Sequence, residues 1–233
     1  MNIHVCFKPA DFIPELYKGY NAVVIDVFRA TTSIATAFAN GCKELIPVEK
    51  IDEAFKMLEL YPDALLAGER EGILINGFNL GNSPFEYSNS NIGGKTVIMT
   101  TTNGTFALKC AANTEKVYTA SFVNCAAVCQ KLEQEDRDIV IICSGTEGRF
   151  SVEDTLCAGL ISDRLNKVAV LSDTAQAAQA MYQGYKDDFE NRVSESSHAK
   201  YLKRIGFDKD IDYCLKHDIL DVVPVFQNGT IKI

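Results

Sequence analysis

The sequence predicts an α/β protein: a mostly parallel sheet flanked by helices, with a helical C-terminal part ending in a β-hairpin. Three observations predict it. Short apolar, β-branched runs recur along the chain, and helix-like stretches alternate with them. The tail VVPVFQNGTIKI places an Asn-Gly pair between two apolar runs, a strong hairpin signal.

The predicted strands are Ala22–Val27, Glu44–Val48, Ala64–Ala67, Thr96–Met99, Lys116–Thr119 and Asp138–Ile142. The predicted helices between and after them are Thr32–Asn40, Asp52–Leu60, Thr105–Ala112, Phe122–Glu133 and Val152–Leu165. After Leu165 the character changes. Ser172–Lys186 is rich in Ala, Gln and Tyr, and Asn191–Gly206 and Asp208–His217 read as charged helices. No linker rich in Pro, Gly or Ser interrupts the chain, so residues 1–233 read as one domain. Two segments resemble each other, one around 20–60 and one around 95–133. Each runs strand, Thr-rich turn, Ala-rich helix, strand, helix; a shared fold type accounts for the likeness as well as duplication does.

Hydrophobic content of 47% with 23% charged residues is ordinary globular composition and excludes a disordered chain. No apolar stretch reaches membrane-spanning length, and MNIHVCFKP lacks the apolar core of a signal peptide. The net charge of −8 argues against nucleic acid and anionic membrane as partners, because both select basic surfaces. A small anionic substrate remains compatible, since a few arginines and a metal overturn a diffuse background. The eight cysteines contain no CxxC pair and read mostly as reduced core thiols of a cytoplasmic protein. The mixed apolar and charged C-terminal helices suggest a homo-oligomer.

The polar residues gather where the predicted strands end, and in parallel sheets ligands bind at the carboxyl ends of strands. Asp26 closes the run AVVI, with Arg29 three residues on. Glu69 and Arg70 end the run ALLA and lead into a long loop carrying Asn82 and Ser83. Thr102, Asn103 and Gly104 of TTTNGT follow the run TVIM and offer hydroxyls and an anion nest without a P-loop lysine. The run CSGTEGRFSVEDTLCAG (143–159) is the densest: Cys143, Ser144, Gly145, Arg149, Glu153 and Asp154 lie between a strand and a helix. That order predicts phosphate on backbone N–H groups, Arg149 on an oxyanion, and the carboxylates on a divalent metal. Cys143-x5-Arg149 also has the spacing of a cysteine phosphatase, although Phe150 stands where a Ser or Thr is usual. The three histidines have no zinc spacing; His198 fits a proton donor or, more ordinarily, an exposed helix residue.

In this order, DVFRATTS, GEREG, GFNLGNSPFE, TTTNGT and CSGTEGRFSVEDTLCAG closely resemble the 2-phosphosulfolactate phosphatase family, as does SSHAKYLKRIGFDKDIDYCLKHDILDVVPVF. The resemblance covers nearly the whole chain. It implies a magnesium-dependent hydrolase that converts 2-phospho-3-sulfolactate to 3-sulfolactate and phosphate, a step of coenzyme M biosynthesis. The residue reading agrees. Asp26, Glu153 and Cys143 are the catalytic candidates, and Asp26, Glu69 and Asp154 are the metal candidates. Arg29, Arg70, Asn82, Ser83, Thr102, Asn103, Gly104, Ser144, Gly145 and Arg149 are the substrate-binding candidates. The alternatives are a Cys143 nucleophile, or a non-catalytic module that holds a phosphorylated ligand.

Overall fold

The computed structural model describes residues 1–89 and 92–233. Every predicted strand forms. They are β2 (Asn21–Ile25), β3 (Glu44–Pro47), β4 (Leu65–Arg70), β6 (Thr96–Thr100), β7 (Lys116–Ala120) and β8 (Ile139–Cys143). The sequence reading passed over β1 (Asn2–Cys6), β5 (Ile73–Leu74) and β9 (Val170–Leu171). The Asn-Gly hairpin is β10 (Val225–Gln227) and β11 (Thr230–Lys232), with Asn228 and Gly229 at φ 53° and 81°, as its tight turn requires.

The helices are α1 (Ala30–Ala39), α2 (Ile51–Leu60), α3 (Pro84–Asn89), α4 (Gly104–Cys110), α5 (Cys125–Glu135), α6 (Val152–Leu165), α7 (Asp173–Tyr185), α8 (Phe189–Ser194), α9 (Ser197–Arg204) and α10 (Asp208–Cys214). One predicted helix, Asn191–Gly206, is broken in two. Ser196 accepts the Ala199 N–H at 3.1 Å and starts α9 afresh, because a serine satisfies the open donors of a first turn better than it continues a helix.

Among the described residues, eleven strands join in the order β5-β4-β6-β3-β11-β10-β7-β2-β8-β1-β9. Two parallel blocks stand out, β4-β6-β3 and β7-β2-β8-β1. The hairpin lies between them, antiparallel to β7 on one side and to β3 on the other. The two look-alike segments are crossed. The first strand of one (β2) pairs with the second strand of the other (β7), and β6 pairs with β3 in the same way.

Alternation along the strands sorts the core. Val24, Val140 and Ile142 from one block meet Leu45, Val97 and Met99 from the other, with Ile34 and Phe38 of α1 and Leu108 of α4 in the same cluster. The opposite face of β2, β7 and β8 packs on α5, α6 and α7 through residues such as Ile25, Ile141, Val128, Leu156 and Ala178. Each such aliphatic or aromatic side chain contributes about 1.5–3 kcal/mol by leaving water. Helices α6 and α7 approach closely because Gly159 has no side chain; a Cβ there would lie 2.2 Å from the Ala178 carbonyl oxygen. No helix among the described residues is long and apolar enough to cross a membrane.

Candidate active site

The strand-end loops meet. A Cβ on Gly104 would sit 2.8 Å from Ala30 Cβ and 2.9 Å from Asp26 Oδ2, so only glycine lets the starts of α1 and α4 touch. The Thr102 N–H donates to Glu69 Oε1 at 2.8 Å, tying the end of β6 to the end of β4. The Glu147 N–H donates to Asn103 Oδ1 at 3.2 Å, tying the loop after β8 to the loop after β6. The Val27 and Gly145 N–H groups donate to the two oxygens of Asp154 at 2.8 and 3.0 Å, joining the ends of β2 and β8.

Four carboxylates therefore crowd one rim: Asp26, Glu69, Glu153 and Asp154, all more than nine-tenths buried. Burial lifts Asp26 from 3.8 to about 6; His198 and the Ala30 N–H oppose the rise, and Glu69 and Glu153 add to it. Burial, with the charges of Glu153 and Asp26, also raises Asp154 well above the usual carboxylate range, despite its two N–H donors. Glu69 uses one oxygen on Thr102 and the other on the Gly72 N–H at 2.7 Å. Asp26 Oδ1 accepts the Ala30 N–H at 3.3 Å, and Oδ2 has no donor among the described residues. Glu153 Oε1 lies 2.8 Å from His198 Nδ1, and its Oε2 is buried without a partner among the described residues. Among the described residues no group of three or more His, Cys, Asp or Glu side chains is arranged as a metal cluster.

Several predicted substrate contacts are committed elsewhere. Arg29 is buried, donating to Asp210 Oδ2 at 2.7 Å and to the Gly72 carbonyl at 2.6 Å, with its guanidinium 4.1 Å from the Phe207 ring centre. Ser83 donates to the other oxygen of Asp210 at 2.8 Å. Arg70 is held by the carbonyls of Glu69 and Glu49 and by Thr100 Oγ1. Asn82 is buried with Oδ1 unpartnered among the described residues, as is Ser144 Oγ. Of the three arginines proposed for anions, only Arg149 is exposed and without a carboxylate partner among the described residues.

The loop 143–149 is not the amide cradle its residue order suggests. Ser144 N–H donates to the Ile25 carbonyl, Gly145 N–H to Asp154, and Thr146 and Arg149 exchange N–H···O bonds at 3.0 Å. Small residues here serve a tight turn, with Glu147 and Gly148 at φ 52° and 73°, instead of an open nest. Nothing around Cys143 supports the thiolate route. It is fully buried with Leu156 and Ile141 in the core, and burial pushes its thiol well above the usual range, the surroundings of a packing thiol. Cys143→Ala is expected to keep phosphate release within about threefold of wild type, as for other buried structural thiols; a loss of turnover in folded protein would restore the thiolate route.

His198 and Asp210 are the residues that sequence reasoning undervalued. Both sit on C-terminal helices, α9 and α10, and their partners Glu153 and Arg29 are 45 and 181 residues away. A buried acid on an otherwise charged helix carries no local signal.

A wider groove of about 600 Å³ lies beyond the amino ends of β3, β4 and β6, lined by residues such as Lys43, Tyr61 and Lys95. It holds none of the buried carboxylates; the chemistry gathers at the opposite rim.

The family model described as 2-phosphosulpholactate phosphatase matches residues 6–229. A "Probable 2-phosphosulfolactate phosphatase" of Clostridium acetobutylicum is 41% identical, covering 99% of this chain and all of the relative. Proteins of the same name from Clostridium perfringens and Thermotoga maritima are 43% and 44% identical, covering 96% and 89% of this chain and 93% and 89% of their own lengths. With residues 6–229 matched by the family model and 99% of the chain matched at 41% identity, this chain belongs to the 2-phosphosulfolactate phosphatase family of phosphoric monoester hydrolases.

Proposed function

We propose that the protein hydrolyses 2-phospho-3-sulfolactate to 3-sulfolactate and phosphate, with magnesium, in the cytoplasm. The observation that carries this reading is the convergence of buried carboxylates at one rim of the sheet in a chain of this family. The free thiols of all eight cysteines suit a reducing compartment.

Asp26 fits a divalent ion. Its Oδ2 has no donor among the described residues, and it lies among like-charged groups that favour a cation. Magnesium takes only one or two protein carboxylates and fills the rest with waters and phosphate oxygens. Glu69 and Asp154 fit less well as direct ligands, because both oxygens of each already accept backbone N–H groups. They shape the loops around Asp26. A bound magnesium would supply charge neutralisation on the phosphoryl oxygens and a more acidic water.

The remaining residues bind and orient. The N–H groups of Asn103 and Gly104 have no acceptor among the described residues, and Gly104 packs against Asp26; they suit phosphoryl oxygens. Arg149, free at the rim, suits the carboxylate or sulfonate of the substrate, for which a planar guanidinium is the matching donor.

Chelation tests this reading. Protein treated with EDTA is expected to release no inorganic phosphate from 2-phosphosulfolactate, and added magnesium to restore release. Turnover that persists in full without divalent metal would overturn the metal role, and no turnover with magnesium would overturn the substrate.

A further inference from the structure

We infer that His198 is the general acid of this phosphatase, held by Glu153 and delivering a proton to the ester oxygen as the phosphoryl group leaves. The inference rests on the reading above and names a group that reading does not use.

Four elements fix the imidazole. The Ser196 cap places His198 in the first turn of α9. From the start of α6, Glu153 brings Oε1 to 2.8 Å from Nδ1, and from the loop after β8, Thr146 Oγ1 stands 3.2 Å from the same nitrogen. From the loop after β2, the Phe28 ring meets the imidazole edge-on, with centroids 5.8 Å apart. A carboxylate at Nδ1 makes that nitrogen the N–H donor and leaves Nε2 for chemistry. No partner of Nε2 exists among the described residues. Glu153 is itself almost wholly buried, and burying a carboxylate against one imidazole is costly unless the pair is used.

The charges around the ring favour its protonated form. Glu153 faces it from α6, Asp26 from the end of β2, and Arg29 from the same loop as Asp26. Burial pulls the imidazole down, the hydrogen bond and charge of Glu153 outweigh it, Asp26 adds to the rise and Arg29 opposes it; the balance lies above the ordinary 6.5. An imidazolium near neutral pH is the state a proton donor needs.

The step balances without another reagent. Water oxygen forms a bond to phosphorus, the bond from phosphorus to the ester oxygen breaks, and its electron pair stays on that oxygen. His198 Nε2 gives its proton there, so 3-sulfolactate leaves as the alcohol. The attacking water keeps one proton as the new P–OH and sheds the other to solvent, which reprotonates the imidazole. Glu153 acts through His198 as a positioning residue.

The test compares wild type, His198→Gln and Glu153→Gln in the presence of magnesium. With 2-phosphosulfolactate, His198→Gln is expected to lower kcat about 100-fold or more, within the usual range for a general acid, and to remove the loss of rate at high pH. With 4-nitrophenyl phosphate the leaving group needs no proton, so the ratio of kcat on the alkyl ester to kcat on the aryl ester falls about 100-fold. Glu153→Gln is expected to shift the high-pH limb to lower pH. NMR of the three histidines, assigned by the His198→Gln difference, reads the same point without turnover: His198 titrates above 6.5 in wild type and lower in Glu153→Gln. An unchanged ester ratio, a retained high-pH limb in His198→Gln, or His198 titrating below 6.5 overturns the inference while the phosphatase reading stands. Wild-type protein inert on 2-phosphosulfolactate overturns that reading, and the general acid with it.

Discussion

Asp26→Asn is expected to lower phosphate release by about a thousandfold while making the metal-free protein more stable at neutral pH. The loss follows from removing the carboxylate best placed for the ion, which supplies several kcal/mol of charge stabilisation; each 1.36 kcal/mol is a factor of ten in rate. The gain follows from linkage. The unfolded chain releases the Asp26 proton near 3.8, but the folded protein holds it until about 6 because the site is buried. Between these values the unfolded state is favoured by its charge, so stability is lost as pH rises from about 4 to 6 and the cost stays constant above. A rise of about two units corresponds to about 3 kcal/mol, and asparagine carries no such cost. Urea unfolding in EDTA at pH 7.5 and at pH 4 checks this: the variant should exceed wild type at the higher pH and match it more closely at the lower. A variant weaker than wild type at pH 7.5, or one with near-normal turnover, contradicts the placement of Asp26.

Removing one partner of the Arg29–Asp210 pair is expected to be the most destabilising change in the molecule. Both side chains are almost fully buried and 2.7 Å apart, so losing one strands the other in an enclosed place. Among the described residues, Arg29→Ala leaves Asp210 with the Ser83 hydroxyl, and Asp210→Ala leaves the guanidinium with the Gly72 carbonyl and the Phe207 ring. Breaking a buried pair from one side costs about 3–5 kcal/mol, or a fall in Tm of roughly 2–4 °C for each of those kcal/mol in a chain of this length. Replacing both with apolar residues of similar volume should recover much of it, since neither charge is then stranded. The effect should extend to turnover. The pair holds Gly72, whose N–H anchors Glu69, which in turn holds the loop carrying Thr102. Single variants that lose less than about 1 kcal/mol in urea unfolding would show that water reaches the pair.

The alternation of strands and helices was plain in the residues, because β-branched runs of five separated by amphipathic stretches have few other solutions. The meeting of Asp26, Glu69, Asn103 and Glu153 at one rim also followed, since polar residues after an apolar strand fall at its carboxyl end. Two things were hidden. Burial separates the arginines: Arg29 and Arg70 follow their strands as Arg149 does, yet Arg29 is enclosed, Arg70 is half-buried and held by oxygens of its neighbours, and Arg149 is exposed. Nothing local distinguishes them, because Asp210, which fixes Arg29, belongs to a helix near the other end of the chain. The loop after β8 misled in a similar way. Glycine and hydroxyl residues suit an open anion nest and a closed turn equally, and the choice is made by Asp154, which claims the Gly145 amide.

The bridging hairpin Val225–Lys232 has a consequence for how the molecule is made. It follows every other strand in the chain, yet it occupies the middle of the sheet. During synthesis the two parallel blocks can each pair their own strands, but the edges of β7 and β3 that face each other stay bare until these residues emerge. Nascent protein therefore carries two sticky borders at its centre, a state in which a chaperone, or a neighbouring chain, would find its opening.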